Sequence, residues 1–190
     1  MRYRTIVADP PWDHSDGTGL NFRNGAKTAL PYETMTLADI KALPVKDFCE
    51  GDKWHVDGAR GGSHLYLWTT SRFLPEAFAV ARAWRFVPTA VLVWCKEPRG
   101  FNMGGTWPSN VEFVVYGRRG SPPATGRAES RWFQCPRGAH SAKPEAFYDL
   151  VEQISPGPYL ELFARRQRLG WDTWGEEALN HVDISPVPST

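Results

Sequence analysis

Apolar residues in this chain gather in short runs, and most runs are followed by a polar interval rich in glycine or proline. The first run, Thr5–Ala8, meets Asp9 and two prolines at once, which predicts a short buried strand. Residues 64–70 (HLYLWTT), 89–95 (TAVLVWC), 111–116 (VEFVVY) and 159–164 (YLELFA) are runs of the same kind. They are apolar nearly throughout rather than alternating, as in strands covered on both faces. Helical spacing appears in three places. Thr36 precedes an apolar stretch and Asp39 follows three residues later, the pattern of a capped helix start; Pro44 stops that helix near Leu43. Pro75 opens a helix reaching about Trp84. Pro144 opens another, with Phe147, Leu150, Val151 and Ile154 on one face, and Ser155, Pro156 and Gly157 end it.

Residues 13–31, 51–62 and 97–108 lack periodicity. The first and last of these are glycine-rich loops, and 13–31 is long for a connection, the kind of segment that serves as a functional lid. The proline- and serine-rich end is expected to fray, which leaves one domain over residues 1–180 and a tail at 181–190. Strands alternating with helices or long crossovers predict an α/β fold: a parallel or mostly parallel sheet with helices on both faces. Ligands in such sheets bind beyond the carboxyl ends of the strands. The loops opening there are residues 9–31, 97–108 and the segment after Ala164.

Composition narrows the function. At 42% apolar and 23% charged residues, disorder is excluded. The net charge is only +1, without the basic excess of a stand-alone nucleic-acid binder, so such a ligand needs a local patch or a partner. The one strongly basic interval, 117–138, carries Arg118, Arg119, Arg127, Arg131 and Arg137 against Glu129, with Trp132 and Phe133 among them. Cys49, Cys95 and Cys135 are odd in number and lack metal-ligand spacing; they read as reduced thiols of a cytoplasmic protein without a bound metal. No apolar run approaches the ~20 residues that span a bilayer, and the N-terminal run is no signal peptide.

The string that carries chemistry is Asp9-Pro10-Pro11-Trp12, set directly after a buried strand. An exocyclic amine on an aromatic ring is a poor nucleophile because its lone pair is delocalised. Acceptors for its N–H bonds localise that lone pair. Asp9 supplies a carboxylate. Two prolines stiffen the loop and remove competing donors, leaving carbonyls to face the amine. Trp12 offers a flat surface on which a base can stack. Read blandly, the same string is a strand, a proline turn and a tryptophan capping the core.

Beyond this motif, the chain resembles the MT-A70 family of adenine methyltransferases. The resemblance rests on residues 8–12 (ADPPW), 32–45 (YETMTLADIKALPV), 64–70 (HLYLWTT), 93–96 (VWCK), 141–166 (SAKPEAFYDLVEQISPGPYLELFARR) and 170–175 (GWDTWG). It implies a Rossmann-like class I methyltransferase sheet in permuted order, with the catalytic motif ahead of the cofactor segment. It implies S-adenosylmethionine as cofactor and transfer to the exocyclic amine of adenine in nucleic acid, DNA favoured over RNA. The adenine must be unpaired or flipped out of the stack, and a second copy or sister subunit is a possible partner. By the same resemblance Asp9, Pro10, Pro11 and Trp12 are catalytic. Asp9 and Lys143 hold the methionine part of the cofactor, Glu161, Phe163 and Arg165 its ribose side, and Gly175 and Glu176 its far end. Candidate substrate contacts are Trp12, Tyr32, Lys96 and Trp107, with Arg127 and Arg131 on the phosphate backbone. Two positions depart from the family: Ala142 precedes the lysine where His or Arg is usual, and Glu176 replaces a usual Asn. A catalytically silent homologue, or an amino methyltransferase for cytosine or protein glutamine, is the alternative.

Overall fold

Thr5–Ala8 forms β1, near the middle of a seven-stranded sheet. The computed structural model describes residues 1–13, 21–23, 26–28, 33–51, 61–97, 107, 110–136 and 143–184. Two short strands, β2 (Asn21–Arg23) and β3 (Ala26–Thr28), pair antiparallel inside the interval expected to be loop. Helix α1 (Leu37–Ala42) begins as expected: the Thr36 hydroxyl accepts from Asp39 N at 3.1 Å and donates to Asp39 Oδ2 at 2.6 Å. The remaining elements are β4 (Gly61–Thr69), α2 (Leu74–Ala83), β5 (Val87–Glu97), β6 (Val111–Ser121), β7 (Trp132–Pro136), α3 (Glu145–Ile154), β8 (Tyr159–Leu162) and β9 (Trp171–Trp174).

The sheet order is β7-β5-β6-β4-β1-β8-β9. Strand β6 runs antiparallel to both its neighbours and every other pairing is parallel, so the expectation of a mostly parallel sheet holds. Side chains alternate between two cores. Ile6, Leu65, Leu67, Val115, Leu160 and Leu162 face α1 and α2. Val7, Tyr66, Trp68, Trp94 and Val114 face α3, which buries Phe147, Tyr148 and Val151 against them. Fully burying one such side chain contributes about 1.5–3 kcal/mol, so the three helices are held by the sheet more than by their own propensity.

Three expectations need correction. The interval 117–138 is not one continuous basic segment. Its first part continues β6, and Arg119, 8% exposed, donates to the carbonyls of Gly51 (3.0 Å) and Lys46 (2.8 Å). Its last part is the edge strand β7; Arg137 lies outside the described residues. Residues 171–174 form an unforeseen strand. The chain does not fray at once after Asn180, because His181 N donates to Thr173 O and Ile184 is fully buried in the aliphatic core. Residues 185–190 lie outside the described ones.

Candidate active site

β1 delivers Asp9 to the rim where the parallel strands end. Asp9 N donates to Leu162 O at the end of β8. Lys143, one residue before the proline that caps α3, reaches the same rim from the aromatic face. Its ammonium lies 2.9 Å from Asp9 Oδ2, 3.1 Å from Glu112 Oε2 and 4.7 Å from the centre of the Trp68 ring. Glu112, at the start of antiparallel β6, also pairs with Lys96 near the end of β5, whose ammonium lies over the Trp94 ring. Charges thus alternate Asp9, Lys143, Glu112, Lys96 across the rim.

Burial works against charge on Lys143, but Asp9 and Glu112 outweigh it and hold its pKa above the ordinary lysine value. Burial likewise opposes ionisation of Glu112, and the ammonium groups of Lys143 and Lys96 win, keeping its pKa below the ordinary carboxylate value. Glu161 behaves differently. Its burial raises its pKa to about 7; the Tyr148 hydroxyl, donating to Oε1 at 2.5 Å, works the other way, and the nearby Asp9 charge adds to the rise.

Beside Asp9 lies a cleft of about 290 Å³, whose far wall is the turn after β8 and the loop after β9. Asp9, Pro11, Phe163, Arg165, Gly175 and Glu176 line it. Lys143 and Glu161 line an adjoining recess that shares Asp9, Phe163 and Arg165. Phe163 has φ of 62°, the left-handed region, at a cost of about 1–2 kcal/mol for a residue with a Cβ. The turn lets Ala164 N reach Trp174 O at 3.0 Å and packs the Phe163 ring against Trp174. Gly175 is required here: a Cβ would lie 2.3 Å from Ala164 O.

Other predicted residues lie elsewhere. Trp12 is not an open stacking platform. It is 5% exposed, its Nε1 donates to Trp68 O at 3.1 Å, and its ring stacks on Phe73. The proline carbonyls are not free either: Pro10 O accepts from Trp12 N and Pro11 O from Met35 N. The loop folds back on the sheet because the tryptophan finds both an apolar stack and an acceptor beneath it. Lys96 stands at the far end of the charge ladder. Trp107 is 84% exposed, Arg127 and Arg131 are exposed, and none of the three lines the cleft. Tyr32 lies outside the described residues.

Sequence reasoning passed over Glu112, Tyr148, Glu33, Met35 and Asn180. Glu112 had a usable signal, a carboxylate inside an apolar strand, the same that singled out Glu161. Asn180 had none; its Oδ1 accepts from Gly175 N at 2.7 Å, so an amide does reach the loop where Glu176 replaces one. Among the described residues no three metal-ligating side chains converge, and no helix is long and apolar enough to cross a membrane.

Comparison with known proteins places this geometry in a lineage. The chain is 29% identical to the type II methyltransferase M.MunI of Mycoplasma sp, over 93% of this chain and 78% of that protein. It is 24% identical to the human N(6)-adenosine-methyltransferase catalytic subunit METTL3, over 93% of this chain and 28% of that one. With the mouse N(6)-adenine-specific methyltransferase METTL4 it shares 25% identity, over 95% of this chain and 39% of the relative. The chain thus spans most of the first relative and well under half of the other two. The sequence profile of the MT-A70 family matches residues 3–177, which takes in β1, the charge ladder and the loop after β9, and the chain belongs to that family.

Proposed function

We propose that the protein transfers a methyl group from S-adenosylmethionine to the exocyclic amine of adenine in nucleic acid. The observation that carries this reading is Asp9: a carboxylate at a strand end, at the junction of a cleft and a partly buried charge ladder. Family membership and the adenine-directed names of several relatives support it. A DNA substrate is favoured because the chain shares 29% identity with the type II methyltransferase against 24% with the adenosine methyltransferase catalytic subunit.

The donor set fits the cofactor. Its methionine end is a zwitterion, and Asp9 and Lys143 offer a carboxylate and an ammonium 2.9 Å apart. Glu161 and Arg165 suit ribose hydroxyls, and the Gly175–Glu176 turn suits the far end. When bound, the cofactor supplies an electrophilic methyl group on a sulfonium. The protein's part is electrostatic preorganisation. Lys143 fixes Asp9 through Oδ2, which leaves Oδ1 to accept an N–H of the adenine amine, localise the lone pair and take the proton that the nitrogen sheds. Trp12, anchored on Trp68 O, keeps the loop in place rather than stacking the base. The adenine enters unpaired or flipped. A second copy or sister subunit fits the low net charge, and the cytoplasm is the expected compartment.

Labelled cofactor, offered with DNA, RNA and protein, tests the reading, with nucleoside mass spectrometry of the product. Methylation of adenine is expected. Asp9→Ala should lose roughly 100-fold or more in rate while keeping its fold, and activity above about a tenth of wild type would sink the assignment.

A further inference from the structure

The end of the sheet opposite the cleft carries a second hollow, of about 160 Å³, lined by Arg85, Val87, Thr89, Arg118, Arg119 and Gly120. Val87 opens β5 and faces Arg118 across the β5–β6 pairing. Arg118 shares β6 with Glu112 of the charge ladder, on the order of 20 Å away along the strand. Among the described residues no acidic one lines the hollow.

Arg119 is engaged by the carbonyls of Gly51 and Lys46. Arg85 and Arg118 are exposed, and neither guanidinium has an ion pair or hydrogen bond among the described residues. Two such cations on the wall of one hollow repel each other, and an anion between them relieves that repulsion. The backbone at Arg85 adds an independent sign. Its φ is 67°, in the left-handed position just past α2, with Arg85 N donating to Arg82 O and Phe86 N to Ala81 O. Glycine is the usual residue there. A cation near the helix end is favourable, but Arg82 in the last turn already provides one without strain. The strained position instead puts Arg85 on the wall of the same hollow as Arg118.

We propose that this hollow binds a phosphate group, and that its occupant is a phosphodiester of the nucleic-acid substrate, roughly 20 Å from the target adenine by the strand spacing. The proposal rests on the reading above that the substrate is nucleic acid. It also resolves how a chain of net charge +1 holds a polyanion: by local cations outside the reaction centre.

Fluorescence anisotropy and initial rates, each with a long oligonucleotide of about 20 nucleotides and a short one of about 5, test this on wild type, Arg85→Gly and Arg118→Ala. Each variant should bind the long strand about 5- to 10-fold more weakly, with KM rising in parallel. The slope of log affinity against log salt should become shallower by about 1 per arginine. Short-strand binding and kcat should hold. Arg85→Gly should also raise the thermal midpoint, which excludes unfolding as the cause of weaker binding. Unchanged long-strand affinity and slope in both variants would overturn the proposal. So would a thermal shift with inorganic phosphate that both variants abolish while long-strand affinity stays at the wild-type value, since the hollow would then hold a free anion. Wild type that binds the long strand through these arginines yet methylates no nucleic acid would overturn the catalytic reading and leave the phosphate site standing.

Discussion

Buried polar side chains collect at both ends of the central strands, and the two groups differ in kind. At the amino end, His64 Nδ1 and the Tyr66 hydroxyl each lie 2.7 Å from Ser155 Oγ, and all three residues are at most 2% exposed. Burial, with Arg118 and Arg4 adding to it, pushes the His64 pKa down to about 4, so the trio is neutral at physiological pH. At the carboxyl end, Asp9, Lys143, Glu112 and Lys96 are all charged partners, with side chains 11–27% exposed. A neutral network whose members satisfy one another fixes β4 against the end of α3 and offers nothing to a ligand. A charged ladder in partial contact with a cleft keeps a carboxylate and an ammonium available at fixed separation. Burial of polar groups is common to both; what separates structure from chemistry is the presence of ionised groups and an opening.

The comparison breaks most forcefully at Lys143. Lys143→Ala leaves Asp9 and Glu112 without the cation between them, and losing one partner of a buried pair costs about 3–5 kcal/mol. Urea unfolding should show that loss, together with at least a 100-fold fall in transfer. Lys143→Met combined with Glu112→Gln should recover much of the stability and none of the activity. An unfolding midpoint equal to wild type in Lys143→Ala would mean that the ladder is not a buried assembly.

Next in size is a pH effect at Glu161. Its folded pKa, about 7, is raised above the ordinary 4.5, so its contribution is full below 4.5 and lost as pH rises through 7. The interval of 2.5 units corresponds to roughly 3 kcal/mol. Stability measured between pH 4.5 and 8 should fall across that window in wild type relative to Glu161→Gln. Parallel curves for the two proteins would refute it. Cofactor affinity, which needs the ionised acceptor, should run the other way and strengthen with pH.

Smallest is Ser155→Ala, which leaves His64 and Tyr66 without their shared partner. The cost is about 1–3 kcal/mol, read from the thermal midpoint, with kcat and KM at wild-type values. A selective loss of turnover would place the amino-end trio in the catalytic machinery and dissolve the distinction drawn above.

Legibility in the sequence followed how local each feature is. Asp9 to Trp12 is contiguous, and its place after a strand could be read directly. Thr36 and Asp39 cap α1 within one turn of chain. Trp12 was misjudged because its destination, Phe73 and the Trp68 carbonyl, lies some 60 residues away in sequence. Strand β9 is four residues of alternating WDTW, too short to stand out until β8 pairs with it. The arginines at 118 and 119 hid the end of β6, because one points outward and the other finds two backbone carbonyls. Glu112 acts through partners that only the sheet order brings near, and Asn180 through a local turn back to Gly175 that no motif marks.

The cleft joins Asp9 to a wall built from Gly175 and Asn180, so its two sides are made about 170 residues apart. During synthesis at about 5–20 residues per second, Asp9 exists for on the order of 10 s before anything opposes it. Contacts of such long sequence separation also carry a larger loop-closure cost and slow folding. The nascent chain therefore carries its carboxylate past the ribosome's nucleic acid without the cleft beside it, which is complete only once β9 and the loop after it have been made.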